Sequence, residues 1–373
     1  MQLFTFALIA ASAVVFADTD NHGHPGWGSH FVPTFDNLVT FGDSYTDESR
    51  LGYFINHNGS APPPGLLLPG STSTAGGGVT WDRWVSNYPI RGLRPLISTN
   101  YTSAKLYNYA VSGAVCDNNQ IYRYLGAING PFPDVVYEVN AFIADSRFVN
   151  ATTNTNTLYT NRKSDNTVYS MWIGTNDLGS YAFLTDSSLN QTTIPDYVDC
   201  IYSRFDQIYT NGGRYFVLIN TAPLELSPLY GTPGQGGLAA SHYWPDKPAN
   251  ITEVSYKMKE YTTLVNSLFT YRTPYEAVVA KRYPGASFAV FDVHSLMTDI
   301  YNHPSQYLST PANVTGTYYF CSPSNTNCTT SRLGLDHFMW YDELHPSEAT
   351  DKVIAREFVN VVKGASKYAA YWK

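Results

Sequence analysis

The hydrophobic and polar positions of the chain fall into two rhythms. Short apolar runs stand at residues 38–41, 106–110, 167–173, 214–220 and 287–291. Runs this short, rich in β-branched and aromatic residues, predict buried strands. Between them, apolar residues return every third or fourth place. Val135, Val136, Val139, Phe142 and Ile143 form one such stripe behind Asp134, a residue type that caps helices. A second stripe starts at about Pro195 and carries Val198, Ile201, Tyr202, Phe205, Ile208 and Tyr209, and Asn211-Gly212-Gly213 stops it. A long helix is predicted from about Ile251, through Val254, Met258, Tyr261, Leu264 and Leu268. A last one is predicted from Pro346, a residue favoured in a first helical turn, with Val353, Ile354, Phe358, Val361 and Val362 ahead of Gly364. Trp81 to Trp84 opens a short helical stretch. Strands alternating with helices predict an α/β fold with helices on both faces of a parallel sheet, joined by right-handed crossovers. The expectation is a three-layer α/β/α sandwich with a roughly five-stranded sheet. Residues 60–78, 150–166 and 231–237 are too rich in Pro, Gly, Ser, Thr and Asn for either element and read as loops. The first of these either walls a site or runs over the surface.

Residues 1–17 interrupt neither rhythm but belong to neither. They are mostly apolar, carry no charged side chain and end in Val15-Phe16-Ala17, which offers a small residue for cleavage. The run is short for a membrane span and reads as a secretory signal peptide. No second long apolar run follows, and no hydrophobic tail closes the chain, so residues 18–373 are expected to form a single exported domain without membrane attachment. A monomer is expected.

Composition narrows the function classes. The formal charge is −7 with only 14% charged residues, which argues against nucleic acid as a partner. The 30 tyrosines suit sugar stacking, core packing and secreted surfaces alike, so they decide nothing. Four cysteines fit an oxidising compartment. Cys321 and Cys328 flank a Pro/Ser/Asn turn and are the preferred pair, which leaves Cys116 with Cys200; three pairings are open on sequence alone. No Cys-x-x-Cys spacing points to a metal. His22, His24 and His30 lack acidic or Cys partners and read as a polar mature terminus rather than a metal site. Seven Asn-x-Ser/Thr sequons, at Asn58, Asn100, Asn150, Asn190, Asn250, Asn313 and Asn327, are glycan candidates in an exported chain.

The candidate chemistry sits where predicted strands end. The first strand runs into Phe41-Gly42-Asp43-Ser44-Tyr45-Thr46-Asp47, the second into Ser112-Gly113, and the third into Gly174-Thr175-Asn176-Asp177. Asp342-Glu343-Leu344-His345-Pro346 precedes the last helix. A parallel sheet gathers its strand ends on one edge, so these segments can converge. Together they suit acyl transfer. A serine hydroxyl is a poor nucleophile until a base takes its proton, and His345 can be that base for Ser44. Asp342, three residues earlier, can reach the second ring nitrogen. The Ser44 and Gly113 N–H groups and the Asn176 amide can hold the oxyanion of the tetrahedral intermediate. Taken singly, each segment also reads as a turn or a cap.

With all four segments in order, the chain resembles the GDSL/SGNH hydrolases, whose blocks bear Ser, Gly, Asn and His. Here they are Ser44 in Phe-Gly-Asp-Ser, Gly113, Asn176 in Gly-Thr-Asn-Asp and His345 in Asp-Glu-Leu-His-Pro. Tyr45 replaces the Leu of the eponymous motif. Phe-Gly-Asp-Ser-Tyr-Thr-Asp-Glu, with Asn220-Thr221-Ala222-Pro223-Leu224, is further similar to the secreted fungal acetyl esterases of carbohydrate esterase family 16. The resemblance implies the flavodoxin-like SGNH-hydrolase fold and a Ser44–His345–Asp342 acyl-enzyme mechanism. It implies oxyanion donors Ser44, Gly113 and Asn176, no metal or organic cofactor, and a small acetylated carbohydrate as substrate. The alternatives are a GDSL lipase or phospholipase acting on lipid esters, and a non-catalytic carbohydrate-binding protein. Of the remaining residues, Tyr45 reads equally as pocket lining or packing, Asp47 as a helix cap, Trp81, Trp84 and Trp172 as core, and His294 as structural. Asp292 is a rival orienter to Asp342.

Overall fold

The computed structural model describes residues 31–86 and 104–373. Residues 1–17, expected to be a signal peptide, the three early histidines and Asn100 lie outside the described residues. The elements follow in chain order. Strand β1 is Asn37–Gly42; helices α1 (Arg50–Asn56) and α2 (Trp81–Val85) precede strand β2 (Lys105–Asn108). A small hairpin of β3 (Tyr124–Leu125) and β4 (Gly130–Pro131) leads to α3 (Val135–Arg147). Then come β5 (Thr167–Trp172), the one-turn helix α4 (Thr175–Leu178), α5 (Ile194–Thr210), β6 (Tyr215–Ile219), α6 (Ile251–Pro274), β7 (Ser287–Phe291) and α7 (Val293–Asn302). The C-terminal part holds β8 (Asn313–Thr317), β9 (Tyr319–Cys321), β10 (Cys328–Thr330), β11 (Phe338–Trp340), α8 (Glu348–Val362) and β12 (Ala369–Trp372).

The central sheet has six strands in the order β2-β1-β5-β6-β7-β12. Five are parallel, as the alternating pattern predicts, and β12 pairs antiparallel with β7 at the edge. Its four residues are too few to show a periodicity, and the pairing partner alone makes them a strand. Alternation along each strand sends side chains to opposite faces. Phe288 packs on Phe205 of α5, while Phe291, an odd number of residues on, packs on Phe358 of α8. Helices α3, α5 and α6 neighbour one another in one layer, and α2, α7 and α8 in the other. β1, β5, β6 and β7 are almost wholly buried, which is why they read as continuous apolar runs.

The predicted helix starts are close to the observed ones except at α8. Asp134 caps α3, its carboxylate accepting the Tyr137 N–H at 2.9 Å. The last helix begins at Glu348, not at Pro346: Ser347 is its cap, accepting the Thr350 N–H, and Pro346 bridges to Trp340 instead. Disulfides join Cys116 to Cys200 of α5 and Cys321 to Cys328 across the β9/β10 pair. Asn58, Asn190, Asn250 and Asn327 are exposed, and Asn150 and Asn313 are half-buried. Among the described residues no helix is long and apolar enough to cross a membrane.

The strand order places the site. From β1 the chain first goes outward to β2 and then returns to the other side of β1 with β5. Carboxyl ends on either side of such a reversal open a crevice. β1 and β5 end level, with Gly42 opposite Trp172. Ser44 lies two residues beyond one end and Asn176 four beyond the other.

Candidate active site

The turn after β1 is tight. Gly42 adopts φ +152°, and a Cβ there would collide with the Trp172 carbonyl of β5. The turn closes on Asp43, whose carbonyl accepts the N–H groups of Thr46 (3.0 Å) and Asp47 (2.9 Å) and whose carboxylate accepts that of Tyr45 (3.0 Å). Asp47 caps α1 through the Ser49 and Arg50 N–H groups and also takes the Ser112 N–H at 2.8 Å. It is a cap, and it ties the serine turn to the loop that carries Gly113.

His345 arrives on the segment between β11 and α8, which folds around Asp342. The Asp342 Oδ1 accepts the N–H groups of Leu344 (2.9 Å) and His345 (2.8 Å), and both carboxylate oxygens lie 2.9 Å from His345 Nδ1. His345 Nε2 is 2.8 Å from Ser44 Oγ. With the Nδ1 proton facing the carboxylate, Nε2 is left to accept from the serine hydroxyl. All three residues are buried. Tyr45 and Tyr243 flank the imidazole edge-on, with ring centroids at 5.9 and 5.5 Å. The Tyr45 hydroxyl donates to the Leu344 carbonyl (2.8 Å), and that of Tyr243 to Asp342 Oδ2 (3.2 Å). Burial works against the imidazolium, but the Asp342 carboxylate beside it and the charges of Asp43 and Glu343 together outweigh burial and raise the His345 pKa above its ordinary value.

The loop after β2 hangs from carboxylates of three other elements. Glu138 of α3 accepts the Val111 N–H (3.2 Å) and also that of Gly42 (2.8 Å), Asp47 accepts from Ser112, and Asp177 accepts from Cys116 (2.8 Å). Gly113 is held at φ +86°, where a Cβ would strike the Phe132 ring. Among the described residues the N–H groups of Ser44 and Gly113 have no hydrogen-bond partner. Asn176, in α4, donates from Nδ2 to the Ala114 carbonyl at 2.9 Å, and its second amide hydrogen remains. Its Oδ1 accepts from Arg123 Nη1. A pocket of about 300 Å³ opens here, with Ser44, Gly113, Asn176 and His345 among its lining residues and Leu125, Phe132 and Leu229 supplying apolar surface. Ala75, from the loop at 60–78, also lines it, so that loop reaches the site.

Two more carboxyls stand close by. Burial pushes Asp43 up to about 6 and Asp177 up to about 7. Burial also holds Glu138 well above the ordinary carboxyl range.

The structure brings Ser44, His345, Asp342, Gly113 and Asn176 to one crevice. Other candidates lie elsewhere. Tyr45 is buried packing outside the pocket lining. Trp81, Trp84 and Trp172 are core. Asp292 caps α7, accepting the Ser295 N–H at 3.0 Å, and it binds Asn220 rather than His345. His294 sits 3.2 Å from Glu225. Arg123, Tyr243 and Glu138 shape the site and were not read from the sequence. For Glu138 a signal existed: it and Asp145 are the two acids among the buried residues of α3. Arg123 and Tyr243 stand in segments with no periodicity.

A family model of GDSL-like lipases/acylhydrolases matches residues 38–358, a span that holds Ser44, Gly113, Asn176, Asp342 and His345. An acetylesterase of Hypocrea jecorina is 43% identical over 341 residues, covering 91% of this chain and 92% of the relative. An acetylesterase of Thermothelomyces thermophilus is 29% identical over 197 residues, or 51% of this chain and 55% of the relative. A GDSL esterase/lipase of Zea mays is 26% identical over 292 residues, or 72% and 66%. Matched along most of its length by the family and by a relative of nearly equal extent, the chain belongs to the GDSL-like lipase/acylhydrolase family.

Proposed function

We propose that the protein is a secreted serine esterase that removes acetyl groups from acetylated sugars or short hemicellulose oligosaccharides. The observation that carries the reading is the line from Ser44 Oγ to His345 Nε2 (2.8 Å) and from Nδ1 to Asp342 (2.9 Å), beside two unpartnered N–H groups. His345 takes the Ser44 proton as Oγ attacks the acetyl carbonyl carbon. The carbonyl oxygen becomes an oxyanion, held by the Ser44 and Gly113 N–H groups and the Asn176 amide. The imidazolium, steadied by Asp342, then gives its proton to the departing sugar oxygen, and the C–O bond breaks to leave an acetyl-enzyme. Water, deprotonated by His345, attacks next; acetate departs and Ser44 regains its proton. No metal or organic cofactor enters these steps.

Acetate rather than a long acyl chain is supported by likeness to the Hypocrea jecorina acetylesterase. Export is supported by the apolar segment at 1–17 and the two disulfides. We read residues 18–373 as one domain, monomeric, with glycans on the exposed sequons. The test is a series of 4-nitrophenyl esters of rising chain length, followed by product mapping on acetylated xylo-oligosaccharides. Acetate is expected to turn over at least tenfold faster than octanoate, and Ser44→Ala is expected to abolish hydrolysis while leaving the circular-dichroism spectrum unchanged. Preference for long chains would instead favour the lipase reading. Full activity of Ser44→Ala would reject the mechanism.

A further inference from the structure

Two of the three oxyanion donors belong to segments fastened to one guanidinium. Arg123 Nη1 donates to the Gly113 carbonyl at 3.1 Å and to Asn176 Oδ1. An asparagine amide can present either its oxygen or its nitrogen to a site, and the wrong choice would face the oxyanion with a lone pair. Arginine has only donors, so the Asn176 oxygen must face it. The nitrogen then lies on the other side, where the Ala114 carbonyl accepts one hydrogen. Both ends of the amide are assigned by chemistry, and the second Nδ2 hydrogen is left for the pocket.

Arg123 is itself held. The Phe132 N–H donates to the Arg123 carbonyl at 2.9 Å just outside the β3/β4 pair, and the Phe132 ring lies 5.4 Å from the guanidinium carbon. The same ring occupies the space that a side chain on residue 113 would need. The hairpin therefore clamps the Gly113 loop with Phe132 and the Asn176 amide with Arg123.

The geometry points to Arg123 as the positioning residue that fixes the Asn176 amide with its N–H toward the oxyanion and ties that donor to the Gly113 loop. The inference rests on the acyl-transfer reading above. It requires that Arg123 act through Asn176 and on the reacting state more than on substrate binding.

A double-mutant cycle on 4-nitrophenyl acetate tests this. Arg123→Met is expected to lower kcat by about tenfold to a hundredfold, below the full effect of losing an oxyanion donor, with KM within about threefold of the parent. In an Asn176→Ala background the same change is expected to cost less than about threefold, because the amide it positions is gone. Arg123→Lys, which keeps the charge but not the planar fork, is expected to fall between. If Arg123→Met does not fold, the cycle run with the Lys variant decides. Undiminished kcat in a folded variant, a loss confined to KM, or losses that multiply in the double variant would overturn the inference while leaving the esterase reading intact. A parent that hydrolyses no ester would bring down both.

Discussion

At the scale of single residues, the site depends on where protons sit. His345 must be neutral to accept from Ser44. It faces Asp342 directly, has Asp43 and Glu343 near it, and has Tyr243 bonded to the far oxygen of Asp342. The negative charges of Asp342, Asp43 and Glu343 together outweigh burial and raise its pKa. A raised pKa keeps the base protonated to higher pH, so the acid limb of kcat/KM is expected to have its midpoint above about 6.5, the ordinary histidine value. A pH–rate profile on a neutral acetate ester measures it; a midpoint clearly below 6.5 would mean that burial dominates instead. Residue identity made Ser44, Asp342 and His345 legible early, since each stands in a short run whose types and order suit one reaction. Arg123 and Tyr243 were not legible, because an arginine or tyrosine in an irregular segment announces no role until its neighbours in space are known.

At the scale of elements, the Gly113 loop is the part most dependent on distant support. Its conformation is set by Glu138, Asp47 and Asp177, and its far end is anchored to α5 by the Cys116–Cys200 disulfide, which spans 84 residues. A crosslink over a stretch of that length restricts the unfolded chain strongly. Replacing both cysteines by alanine is expected to lower stability by about 2–5 kcal/mol in urea titration. Because the bridge ends three residues beyond Gly113, kcat is expected to fall as well, while binding of substrate changes less. Unaltered kcat would show that the carboxylates alone hold the loop. The starts of α3, α5 and α6 were read within a residue, with Asp134 marking that of α3. At α8 the proline misled, because its neighbour Ser347 makes the cap and Pro346 is taken up by a bridge to Trp340.

At the scale of the whole molecule, the sheet edge collects more buried acid than the reaction consumes. Asp43 and Asp177 have pKa values of about 6 and about 7, raised chiefly by burial. Their unfolded values are those of ordinary carboxylates, near 4. Folding therefore raises both, and the folded protein holds protons that the unfolded chain releases. The stability this contributes is fully present below about pH 4 and is lost as pH rises through about 6 to 7. These two groups are thus expected to make the thermal midpoint higher near pH 5 than near pH 8. Asp43→Asn or Asp177→Asn is expected to flatten that dependence, and calorimetry across the range would show a flat parent profile if the two carboxyls do not titrate this way.

Local chemistry determined much of this protein by itself. Apolar periodicity placed the five parallel strands and the main helices, because burial on both faces of a sheet or along one stripe of a helix leaves its mark on consecutive residues. The order of Ser, Gly, Asn and His blocks marked the chemistry, because strand ends in a parallel sheet must share an edge. Tertiary structure alone decided the antiparallel β12, whose four residues are a strand only beside β7. It alone decided the hydrogen bonds that hang the Gly113 loop from three carboxylates, and the guanidinium that turns Asn176. These depend on contacts between residues roughly ten to eighty positions apart, and no pattern of neighbours along the chain encodes which side chain will arrive.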